Sequence, residues 1–210
     1  MLRDNAVSLI QQGLGFRSDL STQIITMMQY VQEDVLEERP TLPWFLLEEF
    51  SEAETTANEE RLLLPADFLG EYEEGTLWLY TPTADPGDQW QDIPKDFLDN
   101  IKTGETGSPE AYALTNKYFR LAPIPDAVYK IKMVYYKKGQ SLATNIENEW
   151  LANAGDLLIN LTGQYMAEDV GNDKALAKFN ARVVTAEDRF FRENEERKHT
   201  NMRYIIGGED

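Results

Sequence analysis

Residues 128–165 read VYKIKMVYYKKGQSLATNIENEWLANAGDLLINLTGQY, and the hydrophobic period changes inside them. From Val128 to Tyr136 the pattern alternates: Tyr129, Ile131, Met133 and Tyr135 fall on one face of an extended strand, Lys130 and Lys132 on the other. Thr144-Asn145-Ile146-Glu147 then has the Thr-x-x-Glu form of a capping box and predicts a helix start. Beyond it Trp150, Leu151, Ala154, Leu157, Leu158, Leu161 and Tyr165 recur at three and four residues, one face of a helix and a core stripe rather than a cofactor pocket.

Upstream of this switch the runs Trp44–Leu47, Arg61–Leu64, Thr76–Tyr80 and Tyr118–Leu121 are short, apolar or alternating, and bounded by Pro, Gly, Asn or Asp. They predict about five strands with Val128–Tyr136 included, a turn at Ala84–Asp88, and a short helix opening at Pro94 and running through Leu98. Further upstream, Leu20, Ile24, Met27 or Met28, Val31 and Val35 give a helix with Ser18 as its N-cap. Leu2, Ala6, Leu9 and Ile10 give a shorter one ended by Gly13 and Gly15. Downstream, a break at Gly171-Asn172 leads to a last helix with Leu176, Phe179, Val183, Ala186 and Phe190 on one face, ending near Glu196.

Neither helical end can bury its stripe alone, so the two pack together. The expectation is an α+β fold: a helical bundle from residues 1–40 and 144–198, a β-rich domain inserted at 41–143, and an extended C-terminal arm at 199–210.

Composition removes several functions. With 210 residues, 42% apolar and 27% charged, the chain buries enough surface to fold without a staple. It has no cysteine and one histidine, His199, which excludes disulfides, Cys-type zinc sites, iron-sulfur clusters and a thiol nucleophile. No Gly-x-Ser-x-Gly elbow, Walker loop or dinucleotide fingerprint occurs, so neither a triad hydrolase nor a nucleotide-dependent enzyme is expected. Asp85, Asp88, Asp92 and Asp96 resemble a calcium loop only until counted: position 6 is Trp90 and position 12 is Asp96, where an EF-hand needs Gly and Glu. Glu48, Glu49, Glu71, Glu73, Trp78 and Trp90 are the parts of a glycosidase, with nothing to fix the carboxylate separation that chemistry requires. No enzyme activity, cofactor or metal is expected.

The net charge is −17, and the acids crowd between Glu33 and Glu74, which opposes binding to phosphates or an anionic membrane. No apolar run is long enough to span a membrane, and the first residues lack the apolar core of a secretory signal, so a cytoplasmic origin is expected. The segment after Asn172 interleaves basic and acidic residues, a solvated helix pattern. Past it, Met202, Tyr204, Ile205 and Ile206 are apolar residues with no element to join. They either fold back on their own bundle or form an arm that adds a strand or anchor to another subunit.

The order of several pieces carries a resemblance. Gln29-Tyr30-Val31-Gln32, Leu42-Pro43-Trp44, Leu64-Pro65-Ala66-Asp67-Phe68, Ser108-Pro109-Glu110-Ala111-Tyr112, Phe119 through Asp126, Tyr135-Tyr136 and Asn148-Glu149-Trp150-Leu151 follow one another as in the head-to-tail adaptors of short-tailed bacteriophages, the connector family that includes the tail tubular A proteins. The chain resembles that family over most of its length, least around Asp85 to Lys102 and in the tail. The resemblance implies a non-catalytic virion subunit at the neck between capsid and tail, present in host cytoplasm during assembly. Its implied partners are the portal protein, a tail or nozzle protein, and further copies of itself in a ring of about twelve around a channel through which genomic DNA passes without specific binding. It assigns the portal or subunit contact to Met202, Tyr204, Ile205 and Ile206, with Arg197, Lys198 and Arg203 as ionic supports. The alternative is a cytoplasmic protein-binding module that uses its helical bundle and catalyses nothing.

Overall fold

The computed structural model describes residues 1–73, 75–82, 89–101 and 104–206, with side chains described except at 49, 50 and 198–206. Contacts divide the chain into a helical unit, Met1–Leu46 with Lys138–Asp210, and a β unit, Leu47–Lys137. The fold is α+β, with helices and mainly antiparallel sheets. The turn expected at Ala84–Asp88 lies outside the described residues.

In the helical unit α1 (Arg3–Gly13) buries Ala6, Val7 and Ile10. It ends in a tight left-handed turn: Gly15 has φ +90°, Phe16 has φ +64°, and the Phe16 N–H donates to the Gln11 carbonyl at 2.8 Å. A 3₁₀ turn, Ser18–Leu20, comes before α2 (Ser21–Tyr30). Ser18 is therefore not the N-cap expected; it is inside the turn, and its carbonyl accepts the Ser21 hydroxyl at 2.9 Å. A π-helical turn, Val31–Leu36, follows. Its wider winding advances the buried face by a residue, so Gln32, Leu36 and Glu37 are buried while Val35 is only half-buried.

The capping box also corrects. The second helical half begins with α3 (Glu149–Asn153), and Asn148 caps it, its side-chain oxygen accepting the Leu151 N–H at 3.0 Å. Residues 144–147 serve the other end of the chain instead: the Ile146 carbonyl accepts the Arg3 N–H at 3.0 Å and the Asn145 side chain accepts the Asp4 N–H at 3.0 Å. They cap α1, whose first amides would otherwise have no partner.

Helix α4 (Gly155–Asp169) packs against α1, α2, α3 and α5 (Asp173–Ile206). It consequently buries Leu157, Leu158, Ile159, Leu161, Thr162, Met166 and Ala167, more than a single stripe. The Phe179 ring of α5 lies where Gly13 and Gly163 have no side chains; a Cβ at either would come within 2.3 Å of a ring carbon. Ala175, Phe179, Val183, Ala186 and Phe190 form the buried face of α5. The helix continues to Ile206 rather than stopping near Glu196, because no glycine or proline interrupts residues 173–206. Residues 199–206 are thus helical in backbone, not an extended arm.

The β unit comprises β1 (Leu47–Glu54), β2 (Arg61–Leu63), β3 (Phe68–Glu71), β4 (Leu77–Tyr80), β5 (Trp90–Ile93), β6 (Thr106–Gly107), β7 (Ala111–Leu114), β8 (Tyr118–Ala122), β9 (Ile124–Pro125) and β10 (Lys130–Lys137). One sheet runs β1-β10-β4-β5 with β3 also on β10, a second runs β2-β8-β7, and β6 pairs with β9 in parallel. Strand β10 is central in its sheet, and Val134 and Tyr136 on its second face are buried as well as Ile131, Met133 and Tyr135. It begins at Lys130; Val128 is exposed and Tyr129 half-buried. Trp44–Leu46 is a 3₁₀ turn, and the first strand starts only at Leu47. No helix forms at Pro94–Leu98: Lys95 bridges to Tyr112, and the Asp96 carboxylate accepts the Phe97 N–H at 2.7 Å and the Asn100 amide at 2.8 Å, closing a turn.

The core of this unit is Leu62, Leu77, Leu79, Ile93, Phe119, Leu121, Ile131 and Met133, with the buried rings of Tyr112 and Tyr135. The Tyr112 hydroxyl donates to Glu71 at 3.0 Å and the Tyr135 hydroxyl to Asp67 at 2.9 Å. Burial first, then the adjacent carboxylate, pushes both phenols up, Tyr135 to about 12. A phenol whose folded pKa lies above its unfolded value stabilises fully below the unfolded value, about 10, and that stabilisation is lost as pH rises through the folded one. Denaturant midpoints of the chain should therefore fall above about pH 10, and fall less steeply in Tyr135→Phe; identical pH profiles would contradict this.

Candidate interaction site at the C-terminal helix

The residues expected to make contacts lie at the end of α5. The helix is held there by an aromatic chain. The Arg197 guanidinium lies 4.5 Å over the Trp44 ring; Trp44 meets Phe45 edge-on at 5.8 Å, Phe45 meets Trp150 at 5.1 Å, and Trp150 stacks on Phe190 at 6.0 Å. The buried Asn194 side chain accepts the Trp44 N–H at 2.8 Å, and Arg39 pairs with Glu187 at 2.7 Å. Of the site residues expected from sequence, the described side chains place Arg197 against Trp44. Those of Lys198, Met202, Arg203, Tyr204, Ile205 and Ile206 lie outside the described residues, as does His199.

A second assembly was not anticipated. One Glu37 oxygen accepts from Trp150 Nε1 at 2.9 Å, Gln32 Nε2 at 3.0 Å and the Gly139 N–H at 3.1 Å. Asn148 Nδ2 donates to Gln32 Oε1 and to the Gln140 carbonyl, both at 2.8 Å. Gly139 is required here, since a Cβ would stand 2.8 Å from the Glu37 oxygen and 2.9 Å from both Gln32 Nε2 and Trp150 Cδ1. Burial pushes the Glu37 carboxyl up while its three donors pull it down. This junction fixes the end of the first helical half against the start of the second. The signal for it was present: Gln32 and the Asn148-Glu149-Trp150 run are among the pieces that carry the resemblance, and the structure brings them together.

Two of the acids weighed as glycosidase parts, Glu71 and Glu48, are engaged elsewhere, as is Trp78. Glu71 pairs with Lys95 and accepts from Tyr112, Glu48 pairs with Lys137 at 2.9 Å, and Trp78 Nε1 donates to the Gly75 carbonyl at 3.2 Å. Among the described residues no group of His, Asp or Glu is arranged to hold a metal, and no helix is long and apolar enough to cross a membrane.

The described residues thus form a helical unit interrupted by a β unit, with a long terminal helix and a polar junction built from the shared sequence pieces. Compared with known families, residues 3–203 match the SU10 adaptor protein. The chain belongs to that family, a family of phage head-tail adaptors, and is a structural adaptor of a virion. Among curated proteins none matches it.

Proposed function

We propose that copies of the chain close into a ring, of about twelve, beneath the portal, join it to the tail or nozzle protein, and form part of the channel through which genomic DNA leaves. The family match over residues 3–203 carries this reading. The net charge of −17 supports it: a channel wall that carries carboxylates holds duplex phosphates off at short range, so the DNA slides instead of binding. The portal or subunit contact belongs to the end of α5, where Met202, Tyr204, Ile205 and Ile206 supply apolar surface and Arg197, Lys198 and Arg203 supply charge. No catalytic step is involved.

Sedimentation of the chain with its virion's portal protein tests this. The mixture should contain a ring-sized species, and a chain cut after Lys198 should stay folded by circular dichroism yet lose portal attachment. A chain that stays monomeric in the presence of portal overturns the proposal.

A further inference from the structure

Phe16 is an outlier. A bulky residue at φ +64° is uncommon, and this one is 79% exposed, so no packing within the chain rewards the strained backbone. It stands at the rim of a groove of about 440 Å³ whose lining includes Leu9, Gln12, Ile159, Lys178 and Arg182; Leu9 is itself 47% exposed.

The charge beside this groove is opposite to that of the whole chain. Lys174, Lys178, Arg182, Arg189 and Arg192 are all exposed, and at 3.6 residues per turn they fall within roughly a quarter-turn of one face of α5. No acid interrupts that arc between Lys174 and Arg192. Arg189 is paired with Asp156 at 2.8 Å, while Lys174, Lys178, Arg182 and Arg192 have no acidic partner among the described residues. Unpaired cations gathered on a chain of charge −17 call for an anionic partner.

The same unit presents one. Glu33, Asp34 and Glu38, on and just past the π-helical turn, are exposed and have no cationic partner among the described residues. Their neighbour Arg39 pairs with Glu187 and lies 5.8 Å over Phe191, a flank of α5 roughly half a turn away from the basic stripe. Because the two complementary surfaces lie on different sides of the subunit, one partner cannot cover both, and the contact is heterologous, the kind that closes rings.

We propose that the basic stripe of α5, with Phe16 and Leu9 beside it, is the docking surface for the Glu33, Asp34 and Glu38 face of a second copy of this chain. The inference rests on the adaptor reading above and names the surfaces through which its copies meet. Exposed apolar side chains beside the cations, and the net negative charge, favour a protein partner over duplex DNA.

Charge exchange tests it in the chain and portal mixture. K178E/R182E should weaken ring formation by roughly tenfold or more, and so should E33K/D34K/E38K. An equimolar mixture of the two variants should assemble again, because each now offers what the other lacks. Phe16→Asn should weaken assembly too while leaving the melting temperature unchanged or higher, since asparagine tolerates the left-handed conformation. If wild type assembles and K178E/R182E assembles equally well, the docking surface is overturned and the adaptor reading stands. If wild type itself fails to assemble with portal, both fall. A wild-type shift of duplex DNA that K178E/R182E abolishes, with assembly intact, overturns the proposal in favour of a nucleic-acid surface.

Discussion

Phe179→Ala will lower the stability of the chain by about 3–5 kcal/mol, the range for emptying a buried aromatic site. Its ring is fully buried and occupies the space above Gly163 of α4 and Gly13 at the end of α1, so the void left behind touches three helices that cannot all close on it. Gly163→Ala gives the sharper result. A methyl at 163 would fall 2.3, 2.5 and 2.6 Å from three ring carbons, an overpacking worth about 1–3 kcal/mol of destabilisation in the wild type. Without the ring the clash disappears, and the alanine then stabilises by up to about 1 kcal/mol through better helix propensity. The same substitution therefore changes sign between the two backgrounds. Urea unfolding of the four proteins measures this, and additive effects would show that ring and glycine do not share the site.

Glu37→Ala is expected to cost about 3 kcal/mol or more, because it leaves two buried donors, Trp150 Nε1 and Gln32 Nε2, and the half-buried Gly139 N–H without this acceptor. Glu37→Gln keeps an oxygen acceptor and should lose far less. The two substitutions also separate the hydrogen bonds from the charge. The Glu37 carboxyl is raised in the folded chain, mainly by burial, with Glu33 contributing in the same direction. Its contribution is thus fully present below the unfolded pKa, about 4.3, and is lost as pH rises through the folded value. Relative to Glu37→Gln, the wild type should gain stability on acidification across that window. Parallel pH profiles for the two proteins would mean that the carboxyl is not raised.

These sites differ in how far the sequence announced them. The faces of β10 and α4 were legible because one period repeats over many residues and burial follows it: Ile131, Met133, Trp150, Leu157, Leu158 and Leu161 are all buried. Strands β5 and β7 were not, since Gln91 and Asp92 in WQDI and the two alanines in AYAL dilute the strand signal, and both owe their form to pairing with β4 and β8. The Thr144 box failed because a motif states that a cap is available, not which helix end will use it, and residues 145 and 146 serve α1. The end of α5 was set too early by apolar periodicity, which stops before the helix does. Interleaved charges after Asn172 read as an ordinary solvated face; only the winding of α5 collects Lys174, Lys178, Arg182, Arg189 and Arg192 on one side. Nothing in the sequence marks the backbone of Phe16, because a left-handed phenylalanine has no compositional signature.

Leu47 and Tyr136, at opposite ends of the β unit's chain, are paired residues of adjacent antiparallel strands, which sets their Cα atoms only about 5 Å apart. To the helices, then, the whole excursion between them is topologically no longer than a hairpin turn. A short glycine-rich splice across that gap should leave the helical half able to fold.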